Sequence, residues 1–156
     1  MLKKLIIFLL VLVPLVALGA KPLDTLEIKI TDLSYQAQID YFSDLFGVDN
    51  SLVKGMVQCE SINWNPQAKG DYKNGKPLAF GLFQYHKETF ERHSKKFGEE
   101  LDYYSSYDQI KLGTWAIANG YGREWTSYRA IENGGTYSFY SNLLEKHFTA
   151  KCDRIK

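Results

Sequence analysis

The stretch from Leu52 to Glu60 constrains this chain most. Leu52, Val53, Met56 and Val57 fall at helical spacing on one face, and Asp49, Asn50 or Ser51 can cap the helix start. An apolar face of that kind has to be buried, so the helix belongs inside a domain. One step further along the same face, where the pattern requires an apolar side chain, stands Glu60. A carboxylate at the end of a buried stripe loses water, so its charged form is disfavoured and its pKa rises. A carboxylic acid that keeps its proton near neutral pH can serve as a general acid. Taken alone, Glu60 reads first as a helix-end glutamate turned to solvent, and its neighbours change that reading.

The rest of the chain reads mainly helical. Leu33, Tyr35, Ile39, Phe42, Leu45 and Phe46 make a stripe over residues 33–46, stopped by Gly47. Residues 62–80 contain Asn63, Asn65, Pro66, Gly70, Asn74, Gly75 and Pro77 and read as a long loop walling one side of a cleft. His86 to Phe97 reads as a helix with Phe90, His93 and Phe97 on one face and a solvated charged side. Asp108 is expected to cap a helix from Gln109 to Asn119, with Ile110, Gly113 and Ile117 on its core face and Trp115 and Asn119 on another. Gly134-Gly135 marks a turn, and Tyr137, Tyr140, Leu144 and Phe148 fit a last helix that covers the core. Near the start, Leu26 to Ile30 alternates like a short strand, and residues 21–32 are read as a lead-in.

A chain of 156 residues suits one domain with its own core. The formal charge is +1; without Lys3 and Lys4 the 19 basic residues fall to 17 against 18 acidic ones, or −1. That balance leaves no electrostatic footprint for nucleic acid. It also argues against a mainly electrostatic grip on an anionic wall or membrane. Three scattered histidines are too few for a metal set, and no cofactor is expected. Aromatic residues are plentiful, with 11 Tyr, 9 Phe and 3 Trp. Some must pack the core, and others suit a cleft where flat rings stack on sugars.

The first 20 residues read as a targeting segment, a signal peptide or an N-terminal membrane anchor. Lys3-Lys4 precede an apolar run from Leu5 to Leu18, and Ala17-Leu18-Gly19 before Ala20 is a small-x-small cleavage site. An exported protein follows, in the periplasm, cell envelope or outside the cell, with a membrane tether if the leader is kept. Cys59 and Cys152 can then form one disulfide between the tail and the Glu60 helix, or stay as two buried thiols.

Two further pieces answer Glu60. Glu60-Ser61 is followed by Asn65-Pro66-Gln67-Ala68 and then by Gly81-Leu82-Phe83-Gln84. This ordered series resembles the lytic transglycosylase and goose-type lysozyme superfamily, which shows Glu-Ser, Asn-Pro-x-Ala and Gly-Leu-Met-Gln in that order. The resemblance covers roughly residues 45 to 130. It implies a single, mainly α lysozyme-like domain over residues 33–156 with a substrate cleft, acting as a monomer on peptidoglycan glycan strands. By the same resemblance Glu60 is the catalytic acid. Ser61, Phe83, Gln84 and Tyr85 line the substrate site, with Trp115, Asn119 and Tyr121 closing it. Two departures mark an outlying compact branch. Three residues rather than two separate Glu60-Ser61 from Asn65-Pro66, and Ile117-Ala118-Asn119-Gly120-Tyr121-Gly122 stands where the family has Ala-Tyr-Asn-Ala-Gly. The tyrosine hydroxyl expected beside the acid is therefore absent or replaced, with Tyr121 and Tyr128 as the candidates.

The implied reaction breaks the β-1,4 bond from N-acetylmuramic acid to N-acetylglucosamine. Glu60 protonates the leaving oxygen, then takes the proton of the muramic 6-hydroxyl as that oxygen closes a 1,6-anhydro ring. This scheme needs one carboxylate, whereas ordinary glycosidases need a pair. A goose-type lysozyme, with water as acceptor placed by Asp71 or another acid, is the alternative enzyme. A wall-binding protein that kept the cleft and lost the chemistry is the alternative of another class.

Overall fold

The computed structural model describes residues 29–141 and 146–155. The Glu60 helix, α2, runs Asn50–Ser61 and is capped by Asp49, whose carboxylate accepts the Ser51 N–H at 2.9 Å. Its stripe is buried as the spacing requires: Leu52, Val53, Met56 and Val57 all face inward. Helix α1, Tyr35–Phe46, starts at Ser34 and ends at Gly47, whose left-handed φ of 70° breaks it. Helix α3 is Lys87–Phe97 and α4 is Ser106–Ala118. A short α5, Thr126–Glu132, follows a 3-10 turn over Tyr121–Glu124.

The core lies where α1 packs on both α2 and α4. Ile39 and Phe42 of α1 meet the α2 stripe and Ile110, Leu112, Ala116 and Ile117 of α4. Leu82, Phe83 and Tyr85 enter the same core from the segment that precedes α3. Each of the Val, Leu, Ile, Met and Phe side chains among them contributes roughly 1.5–3 kcal/mol when fully buried. Over the described residues the molecule is mainly helical, with one three-stranded and one two-stranded sheet.

Four expectations need correction. Residues 62–80 are not all loop: β1, Lys69–Lys73, and β2, Lys76–Phe80, form an antiparallel hairpin, with β3, Tyr85–His86, on its other side. Asn74-Gly75 is the turn, both residues with positive φ (52° and 74°). Asn-Gly is the strongest short hairpin signal, and it was masked by polar flanking residues that do not alternate. The second correction concerns the end of the chain. Thr136–Ser141 and Lys146–Lys151 are antiparallel strands β4 and β5, not a helix. Thr136-Tyr137-Ser138-Phe139 alternates with period two, and the stretch to Ser141 is rich in strand formers, which competes with the helical reading of Tyr137 and Tyr140. Third, Ser105 rather than Asp108 caps α4: its Oγ accepts the Asp108 N–H at 3.2 Å. Fourth, Ile30–Asp32 is a 3-10 turn, and the rest of the Leu26–Ile30 strand, like the leader, lies outside the described residues.

The tail runs back along α2. Cys152 is bonded to Cys59, 93 positions away in sequence. The Ile155 N–H donates to the Ser51 carbonyl at 3.0 Å. Arg154 bridges Asp49 at the head of α2 and Glu132 at the end of α5. Gly55 makes this close approach possible, because a Cβ there would run into the Asp153 carbonyl.

Candidate active site

Glu60 sits on the last turn of α2, where the apolar stripe ends. The chain then leaves the helix through three consecutive left-handed residues, Ile62, Asn63 and Trp64, with φ of 46°, 59° and 62°. Such conformations cost about 1–3 kcal/mol each outside glycine and cluster at functional sites. They turn the backbone sharply away, so that Glu60 ends the helix with part of its surface still open to solvent. Its carboxyl is nonetheless surrounded by protein. Desolvation is the largest effect on it and raises its pKa from 4.5 to about 7; the Asp71 charge pushes the same way, and hydrogen bonds from Ser127 oppose both.

Ser127 comes from α5. Its Oγ donates to Glu60 Oε1 at 2.5 Å, and its backbone N–H also favours the ionised carboxyl. The serine is completely buried. Trp125, immediately before α5, donates its Nε1–H to the Phe83 carbonyl at 2.8 Å and so fixes the start of α5 against the Gly81–Gln84 turn. That turn is itself held by Gln109 of α4, which accepts the Phe83 N–H at 3.3 Å and donates to the Tyr103 carbonyl at 2.7 Å. Gly81 has φ of 81°, and a Cβ there would overlap the Gln109 amide, so the position requires glycine twice over.

A family model described as the transglycosylase SLT domain matches residues 39–134. The chain belongs to that family. No curated protein and no solved structure matches it. Membership assigns a lytic transglycosylase type of function on peptidoglycan.

Within this SLT domain the residues singled out by sequence separate into three groups. Ser61 is buried and turns back on its own helix, its Oγ donating to the Val57 carbonyl at 2.7 Å. Phe83 and Tyr85 are core rings, not surface contacts for a sugar: both lie against Trp125, and the Tyr85 hydroxyl meets His93 Nδ1 at 3.4 Å. Gln84, half-buried with φ of 45°, donates its Nε2 to the Ala68 carbonyl at 3.0 Å and to the Gly81 carbonyl at 2.8 Å. It pins the β1–β2 hairpin to the Gly81–Gln84 turn. Trp115, Asn119 and Tyr121 gather at the end of α4. Asn119 Nδ2 donates to the Trp115 carbonyl at 2.9 Å, and the Trp115 ring lies 6.0 Å from that of Tyr121. The Tyr121 hydroxyl accepts from Lys96 Nζ at 3.2 Å, while Tyr128 packs against Gly122. Neither tyrosine supplies the hydroxyl on Glu60; Ser127 does.

Ser127 was not legible in the sequence, since a serine near a helix start signals a cap and nothing more. The Asp71–His86 pair was also missed: His86 Nε2 lies 2.8 Å from Asp71 Oδ2, and both side chains are exposed. No cluster of metal ligands occurs among the described residues, and no described helix is long and apolar enough to cross a membrane.

The raised pKa makes a stability prediction. Between pH 4.5 and about 7 the folded chain holds a proton on Glu60 that the unfolded chain has lost. Stability therefore falls as pH rises through that window and is level on either side. Glu60→Gln removes the effect. At pH 8 it should stabilise the fold by up to about 3 kcal/mol, the stability equivalent of the raised pKa, and less because the side chain is partly open. Near pH 4 the two proteins should unfold together. Denaturant titrations of both at the two pH values check this.

Proposed function

We propose that this SLT domain is a peptidoglycan lytic transglycosylase that cleaves the β-1,4 bond from N-acetylmuramic acid to N-acetylglucosamine and forms a 1,6-anhydro product. The observation that carries the proposal is the Glu60 carboxyl with its pKa near 7. An acid poised there is substantially protonated at neutral pH and can give its proton to the leaving oxygen. Once ionised it is a competent base for the muramic 6-hydroxyl, so one group serves both half-reactions. Ser61, Phe83, Tyr85 and Gln84 act from behind the surface, by shaping the walls on which Glu60 and the hairpin stand. The Cys59–Cys152 bond supports an exported protein, since disulfides persist in oxidising compartments.

The Asp71–His86 pair favours one second reading. Asp71 lies close enough to Glu60 to raise its pKa, and a carboxylate there could place water for a goose-type hydrolase. Mass spectrometry of soluble products from isolated peptidoglycan distinguishes the two. The transglycosylase yields muropeptides about 18 Da lighter than hydrolytic ones, the mass of one water lost in ring closure. Reducing-end products would assign the hydrolase instead.

A further inference from the structure

We infer that Ser127 is the positioning residue for Glu60, taking over the task expected of a tyrosine hydroxyl and fixing the direction of the carboxyl. The inference deepens the proposed function and rests on Glu60 being its acid and base.

Two serines compete for this role, and the geometry decides between them. Ser61 adjoins Glu60 in sequence, yet its hydroxyl is satisfied by Val57 one turn back and has no proton left to give. Ser127 is distant in sequence and stands in the first turn of α5, where no α5 carbonyl lies one turn back to take its hydroxyl. Its Oγ reaches across to Glu60 Oε1 instead, at 2.5 Å, from a fully buried position. Thr126, one residue earlier, accepts from Arg129 Nη2 at 2.9 Å, so the hydroxyls of the first turn of α5 are divided between the surface and Glu60. Trp125 gives that turn no side-chain cap of its own, which leaves the Ser127 N–H available to the carboxyl.

The placement of Ser127 is built, not incidental. The Trp125–Phe83 bond holds the head of α5 against the Gly81–Gln84 turn. With the head of α5 anchored, the hydroxyl has a fixed place beside α2. A hydrogen bond to one carboxyl oxygen removes the free rotation that would otherwise scatter the other, and proton transfer needs that second oxygen aimed at the scissile bond. The same bond stabilises the ionised form against desolvation, and so keeps the acid from becoming too weak to release its proton.

The test is the pH behaviour of Ser127→Ala and Ser127→Thr, read in two ways on the purified protein. One is the direct titration of Glu60 by carbon-13 NMR of labelled glutamate side chains, which requires no turnover. The other is the pH profile of kcat/KM on peptidoglycan. Ser127→Ala should raise the Glu60 midpoint and the alkaline limb together, by roughly one pH unit, and lower turnover near neutral pH about tenfold. Ser127→Thr keeps the hydroxyl and should restore the wild-type midpoint. A Ser127→Ala midpoint equal to wild type overturns the inference, and so does a Thr variant that titrates like Ala. If Ser127→Ala does not fold, Ser127→Cys, which keeps the side chain's shape and donates only weakly, serves as the second variant, with the same two criteria. A wild-type protein that releases no product would instead sink the proposed function, while the NMR titration would still judge the hydrogen bond.

Discussion

Glu60→Gln is expected to lower the rate of product release from peptidoglycan by about 10²–10⁴-fold, the range associated with a positioned acid or base. The substitution suits the site. Glutamine has the same shape, and its Oε1 can still accept the Ser127 hydroxyl that the glutamate accepts at 2.5 Å. The fold is therefore kept, and above neutral pH strengthened, while the transferable proton is lost. Loss of activity together with raised stability would separate a chemical role for Glu60 from a structural one. The measurement is the amount of soluble muropeptide released by each protein at equal concentration. A glutamine variant that keeps wild-type activity would remove Glu60 from the mechanism. A wild type that binds the wall without releasing anything would favour a binding module.

Removing the disulfide should produce the largest change in stability. Cys59 and Cys152 are 93 positions apart, and closing a loop of that size restricts the unfolded chain strongly. Replacing both by serine should cost about 2–5 kcal/mol and lower the unfolding temperature by about 10 °C. The loss has a second source in the native state. The tail after Cys152 has little of its own to hold it: the Ile155 N–H bonds to Ser51, and the Arg154 pairs lie at the exposed surface, where ion pairs contribute little. Without the bond the tail should fray from α2. Thermal scans of the double variant, and of the wild type with and without a thiol reductant, test this. Midpoints within about two degrees of each other would show that the tail is held without the cysteines.

Much of the helical frame was legible because burial and helix period coincide there. The stripes over α1 and α2 have one face each, with Ser34 and Asp49 as caps and Gly47 as a stop, and all of these act locally. Legibility failed where two periods fit the same residues. In Thr136–Ser141, Tyr137 and Tyr140 fit a helical spacing while Tyr137 and Phe139 fit a strand alternation, and only pairing with Lys146–Lys151 chooses. It failed again in Lys69–Phe80, where neither strand alternates cleanly and the Asn74-Gly75 turn was the one usable sign.

The site divides along the same line. The sequence by itself determined that an acid interrupts a buried stripe at Glu60, and the spacing of Asn65-Pro66, Gly81 and Gln84 pointed to the SLT family. Both are local properties, since a helix face and a turn are set by residues a few positions apart. Only the tertiary structure decided which hydroxyl meets Glu60, that Phe83 and Tyr85 belong to the core, and that the tail straps α2. Ser127 lies 67 positions from Glu60, and Cys152 lies 93 from Cys59. Contacts over such distances depend on how α2, α4 and α5 pack together, and no pattern within one segment carries that information.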